Sequence, residues 1–163
     1  MKKISKILIL GGPGSGKTTL ANKLKELFEL PIINLDNINY KQGLFQREKK
    51  ERDKIIRKKM NDCEWIMEGI YKSTLQERAE KADLIIFIEC PTYYLIFRII
   101  KRYLKNLGKE KKELEGCKER LTWHFIKHTL KFNSKKKDIY KILRGIEDID
   151  NKLIILKKVK ILN

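Results

Sequence analysis

Eight consecutive residues, Gly11-Gly12-Pro13-Gly14-Ser15-Gly16-Lys17-Thr18, satisfy the pattern G-x-x-x-x-G-K-[ST] at every position. Glycines at this density let backbone N–H groups turn inward without Cβ clashes, forming a nest for an anion. A helix opening near Lys17 aims the positive end of its dipole, about half a charge, at the same place. In such a loop the lysine reaches the β- and γ-phosphates of a nucleotide and the Thr18 hydroxyl ligates Mg2+; Thr19 continues the cradle onto the helix. The pattern follows an apolar run, Ile7–Leu10, and precedes a helical one, which is the context this chemistry requires. A dinucleotide fingerprint beginning at Gly12 would need glycine at position 17, where Lys17 stands, so that reading is rejected.

Two carboxylates fall at expected strand ends, Asp36 and Glu68. In a parallel sheet, ligands gather at the carboxyl ends of the strands. Either residue is placed to hold a Mg2+-bound water or to orient an attacking hydroxyl. Arg98 and Arg102 are four apart on one helix face, and Arg120 lies beyond a charged connector. Phosphoryl transfer spreads negative charge over the moving group, and mobile arginines neutralise it while excluding water. Lys109, Lys111, Lys112, Lys135, Lys136 and Lys137 read as surface charge rather than site. His124 and His128 are spaced H-x-x-x-H, but Phe125 stands where a metalloprotease needs Glu, so this pair reads as helix packing. There is no zinc-finger spacing, basic zipper or RNA-recognition signature.

The elements that must position these groups follow from hydrophobic periodicity. Strands are expected at Lys6–Leu10, Ile32–Leu35, Trp65–Met67, Leu84–Ile88 and Lys152–Leu156. Helices are expected at Lys17–Phe28, with Leu20, Leu24, Leu27 and Phe28 inward, and at Arg47–Met60. Ser73 with Gln76 reads as a capping box opening a helix to about Lys81. A long amphipathic helix is expected over Thr92–Leu107 with Gly108 as its cap, followed by a charged connector, Lys109–Gly116, and helices near Lys118–Phe132 and Lys135–Leu143. Five short strands alternating with helices argue for an α/β architecture, a parallel sheet covered on both faces.

At 163 residues the chain is one domain's worth, enough to bury roughly 70% of its unfolded surface. Its formal charge is +17, unevenly spread. Residues 1–90 carry 18 basic and 13 acidic side chains, while residues 91–163 carry 20 and 8. The second half therefore attracts an anionic partner: phosphates, nucleic acid or an acidic surface. A genome rich in A and T offers a plainer account of a chain rich in Lys, Ile and Asn. Cys63, Cys90 and Cys117 form no C-x-x-C pair and read as reduced thiols of a cytoplasmic protein. The N-terminal apolar core is too short for a cleaved leader, and Arg98 interrupts the longest apolar stretch, so no membrane span is expected.

The chain resembles the adenylate-kinase-like P-loop proteins called topology modulation, or FlaR-related, proteins. The resemblance runs through Gly11–Thr18, Leu35-Asp36, Trp65-Ile66-Met67-Glu68-Gly69-Ile70-Tyr71, Ser73-Thr74-Leu75, Arg78, Ala82-Asp83, Arg98, Arg102 and Gly116-Cys117-Lys118-Glu119-Arg120. It implies a P-loop NTPase three-layer sandwich with strand order 2-3-1-4-5 and a helical lid near residues 98–120 within a single domain. It also implies an ATP- and Mg2+-dependent phosphotransferase acting on a small molecule, a nucleoside or nucleotide by family analogy. Arg98, Arg102 and Arg120 would then contact phosphates from the lid and its flanks, and Asp36 would face the acceptor. Glu68 stands where that family usually has Asp, and Ile70 where it often has Asn. A nucleotide-binding regulator or DNA-binding accessory protein is the alternative, and a simple NTPase a third reading.

Overall fold

Ile7, Leu8, Ile9 and Leu10 are all fully buried, as are Trp65, Ile66 and Met67. Successive strand residues point to opposite faces, so runs with no exposed member belong to strands covered on both sides. The computed structural model describes residues 3–41, 45–105, 126 and 129–157. Its strands are β1 (Lys6–Gly11), β2 (Ile32–Asn34), β3 (Trp65–Glu68), β4 (Leu84–Ile88) and β5 (Leu153–Leu156). They form one sheet in the order β2-β3-β1-β4-β5, with every pairing parallel.

The helices are α1 (Lys17–Phe28), α2 (Leu35–Asn39), α3 (Lys49–Lys59), α4 (Leu75–Lys81), α5 (Thr92–Lys105), α6 (Phe132–Arg144) and the short α7 (Ile149–Lys152). Leu75, Ala79, Leu95, Ile139 and Leu143 bring α4, α5 and α6 onto the core around β1 and β4. A fully buried Leu or Ile contributes about 1.5–3 kcal/mol relative to exposure, so these apolar stripes fix where the helices dock. Phe87 of β4 meets Tyr140 of α6 edge-on, with ring centroids 5.2 Å apart.

Several boundaries differ from the sequence expectation. The second strand stops at Asn34, and Leu35 and Asp36 form the first turn of α2 instead of a strand end. Asn34 causes the switch: its side chain accepts from the N–H groups of Asp36 at 2.8 Å and Asn37 at 3.2 Å, which starts a helix. Arg47 stays outside α3 because its N–H donates to the Asn39 carbonyl at 2.7 Å. The third strand runs one residue further than expected, to Glu68.

The expected capping box does not form. Lys72–Thr74 is a 3-10 turn, and Ser73 Oγ accepts from Arg52 at 3.2 Å while Gln76 donates to Glu80. Leu27 is 73% exposed, so the inward face of α1 is narrower than its spacing suggests. Lys152 ends α7 rather than opening β5. Phe132 begins α6 instead of closing the preceding helix. The expected Gly108 cap, the 109–116 connector and most of the 118–132 helix lie outside the described residues.

Candidate active site

Strand register places the first half of the site. Ile9 of β1 pairs with Glu68 of β3, and Asn34 of β2 pairs with Glu68 on its other side. Glu68 therefore ends its strand between Asn34 and the turn leaving β1. It is only 3% exposed. Its two oxygens are held from two elements: Thr18 Oγ1 donates to Oε2 at 3.0 Å, and Asn34 Nδ2 donates to Oε1 at 2.6 Å. A carboxylate this buried persists as an anion only when it is well hydrogen-bonded. The hydroxyl expected to ligate Mg2+ and the carboxylate expected to hold a Mg2+-bound water are thus in contact.

The loop from Gly11 to Gly16 closes over the N-terminus of α1. Lys17 Nζ donates to the Gly12 carbonyl at 3.0 Å, spanning the loop. Gly16 has φ 96°, a left-handed conformation that a side chain would strain. A Cβ at Gly16 would also lie 3.2 Å from the Arg98 guanidinium, so the missing side chain is what lets Arg98 approach. Arg98 Nη1 donates to the Ser15 carbonyl at 3.3 Å, and its guanidinium lies 5.7 Å from the Tyr94 ring centroid. Ser15 is itself fully buried. Pro13, Gly14, Thr18 and Thr19 are half-buried along the same rim. The chemistry fits a nucleotide's phosphates: a lysine, a helix N-terminus and a guanidinium converge on one glycine loop.

The second half lies beyond the ends of β2 and β3. Asp36 is exposed on α2, and the Tyr71 hydroxyl donates to its Oδ1 at 2.8 Å. Burial, reinforced by the Asp36 charge, pushes the Tyr71 phenol well above its ordinary pKa, so it stays protonated and donating. Tyr71 has φ 29° and ψ 82°, an uncommon conformation for a bulky residue. Two arginines hold it there. The Arg52 guanidinium lies 4.7 Å from its ring centroid. Arg78, fully buried, donates to the carbonyls of Gly69 at 3.0 Å and Tyr71 at 3.1 Å, to that of Ile70 between them, and to Thr74 Oγ1 at 3.2 Å. Burial lowers the Arg78 pKa to about 9, which leaves it charged at neutrality.

The structure thus brings the loop, Lys17, Thr18, Glu68 and Arg98 into one cluster, with Asp36 in a second, on α2 just past the end of β2. Arg102 sits one turn further along α5 than Arg98, exposed. Arg120 lies outside the described residues, as do His124 and His128. Sequence reasoning did not single out Asn34 or Arg52, and it gave Tyr71 and Arg78 no role. Asn34 carried a usable signal, since Asn just before an apolar-periodic segment is a helix cap. Arg52 looked like any charge on a solvated helix.

The AAA domain family matches residues 7–118, and the chain belongs to that family. No curated protein matches the sequence. Among solved structures, the shikimate kinase of Acinetobacter baumannii in complex with shikimate aligns at a TM-score of 0.56 and 16% identity, covering 96% of this chain and 86% of that one. The shikimate kinase of Bacteroides thetaiotaomicron aligns at a TM-score of 0.54 and 17% identity, covering 85% and 82%. A gluconokinase from Sinorhizobium meliloti aligns at 0.53 and 14%, covering 98% and 86%. At these identities the likeness is one of fold: an all-parallel sheet in the order 2-3-1-4-5 with flanking helices, the P-loop NTPase arrangement.

Proposed function

We propose that the protein is a Mg2+-ATP-dependent phosphotransferase acting on a small hydroxylated molecule, with nucleosides and nucleotides the first acceptors to try. The observation that carries this reading is that Glu68, at the end of β3, and Asp36, in the first turn of α2, are held by different residues. Glu68 is bonded to Thr18 and Asn34, and Asp36 is bonded to Tyr71. The first arrangement suits a nucleotide and its metal. The second, on the segments that follow β2 and β3, suits the hydroxyl of an acceptor.

On this reading Lys17 and the loop would bind the β- and γ-phosphates, and Thr18, backed by Glu68, would hold Mg2+. The metal, when bound, offsets negative charge on the phosphates. Arg98 would neutralise charge on the transferring group from the α5 side, with Arg102 and Arg120 as further lid contacts. Asp36 would orient the acceptor hydroxyl and take its proton. The whole chain would act as a single domain with a basic lid near residues 98–120, in the cytoplasm. Among the described residues, no helix is long and apolar enough to cross a membrane. The resemblance to topology modulation proteins supports this setting without naming a reaction.

The test is ADP formation from Mg2+-ATP with and without hydroxylated acceptors. Lys17→Ala is expected to abolish acceptor-stimulated turnover while leaving the circular dichroism spectrum intact. Turnover retained in that variant would sink the assignment, and equal turnover without acceptor would point to an NTPase.

One observation favours the DNA-binding alternative. Lys137, Lys141 and Arg144 share a face of α6 and, with Tyr140, line an open cavity of about 320 Å3. If this face binds DNA, affinity falls with salt at a log–log slope of about −0.9 per phosphate neutralised. The same binding at low and high salt would remove this reading.

A further inference from the structure

Resting on the phosphotransferase reading, the geometry points to a neutral polyhydroxylated acceptor, a nucleoside or free sugar, held by Tyr71 and Asp36 in preference to its phosphate ester or acid. Three guanidinium groups lie in this region among the described residues, and that of Arg47 is engaged locally, giving Nε to the Ile38 carbonyl at 2.9 Å and Nη1 to Glu51 at 2.6 Å. Recognition of a phosphate or carboxylate favours an arginine fork aimed at the ligand, since two parallel N–H groups match two anionic oxygens. Neither Arg52 nor Arg78 is so aimed. Arg52 gives Nε and Nη2 to Asp53 at 2.9 and 2.7 Å, shares Nη2 with Ser73, and gives Nη1 to Asn39 at 3.3 Å. Its flat face rests on the Tyr71 ring. Arg78 gives its donors to three successive carbonyls and Thr74, deep in the protein. The ammonium of Lys72 is likewise bonded to Asp138.

Among the described residues here, Asp36 is exposed and Tyr71 half-buried, and one 2.8 Å hydrogen bond joins their carboxylate and phenol. Asp36 Oδ2 and the Tyr71 oxygen lone pairs accept from hydroxyl groups, and the Asp36 charge repels an anion brought to the same spot. Arg52 and Arg78 act here as positioning residues. They fix Tyr71 in its uncommon backbone conformation, which persists only where the surroundings over-determine it. A site built to bond hydroxyls rejects a ligand that leaves its polar groups unpaired far better than an apolar pocket rejects a misfit.

The experiment compares neutral acceptors with anionic derivatives of the same skeleton: adenosine with its 5′-monophosphate, ribose with ribose 5-phosphate, and glucose with gluconate. ADP formation from Mg2+-ATP is measured for wild type and Tyr71→Phe, with thermal melting as the control for folding. The neutral member of the pair that reacts best is expected to exceed its charged partner in kcat/KM by about tenfold or more. Tyr71→Phe is expected to raise KM for that neutral acceptor by about tenfold, with KM for ATP unmoved. A charged member reacting better, or an unchanged acceptor KM in a folded Tyr71→Phe, overturns the inference and leaves phosphotransfer standing. No transfer to any member overturns phosphotransfer to small hydroxyl compounds, and this inference with it.

Discussion

Glu68 joins three elements through two oxygens, and its charge matters more than its shape. Glu68→Gln keeps an oxygen for the Asn34 amide and turns its own amide towards Thr18 Oγ1, which can accept, but it removes the anion beside the Thr18 hydroxyl. Weakening the group that supports a metal ligand costs about 10- to 100-fold in metal affinity. The expected outcome is a rise of that size in the Mg2+ concentration needed for half-maximal turnover, with the melting temperature little changed. A titration of turnover against Mg2+ checks it. At this scale the glycine loop was legible because its pattern is local: eight adjacent residues carry both the turn and the lysine that spans it. Tyr71 was not. Its role comes from Asp36, 35 positions away, and no periodicity encodes that meeting.

Arg78 ties helix α4 to the segment leaving β3, and the segment depends on it. Arg78→Met fills similar volume but leaves the carbonyls of Gly69, Ile70 and Tyr71 without this donor. Leaving a buried acceptor unpaired costs about 1–3 kcal/mol, so the denaturant midpoint is expected to fall substantially. Asn34→Ala tests the other edge of the site. Losing the cap of α2 costs about 1 kcal/mol, and it also removes the amide that orients Glu68, so turnover should fall more than stability does. Chemical denaturation beside the transfer assay separates the two effects. The sheet was the most legible part of the fold, since β1, β3 and β4 are unbroken apolar runs. Helix α2 was missed because apolar Leu35 extends the strand pattern by one residue while Asn34 has already turned the backbone. The capping box failed for a tertiary reason: Ser73 was drawn away by Arg52 from α3.

Across the whole molecule, 38 basic side chains face 21 acidic ones. Self-repulsion of this size weakens the compact state, and salt screens it over a Debye length of about 8 Å at physiological ionic strength. The melting temperature is therefore expected to rise between low and physiological salt. Acid acts in the opposite sense. Hydrogen bonds from Arg47, Arg57 and Lys72 hold Glu51, Glu77 and Asp138 below the usual carboxylate range. Their contribution is present above the unfolded-state pKa values, about 4, and is lost as pH falls through the lower folded-state values. Differential scanning at stepwise pH is expected to show the melting temperature dropping below about pH 4, where protonation also increases the net positive charge.

The phosphate loop is contiguous along the chain, yet its outer wall is not. A Cβ on Gly12 would lie 2.8 Å from Leu95 of α5 and 2.9 Å from Phe132 of α6, so two helices from beyond the fourth strand press directly on the second residue of the motif. A fragment ending with α5 would retain all eight motif residues and four of the five strands, but it would lose one of the two surfaces that hold Gly12 in place. The unit that holds the glycine loop in shape is thus set by the reach of Phe132 rather than by the limits of the motif, and shortening the chain from its C-terminal side would loosen a loop more than a hundred residues away.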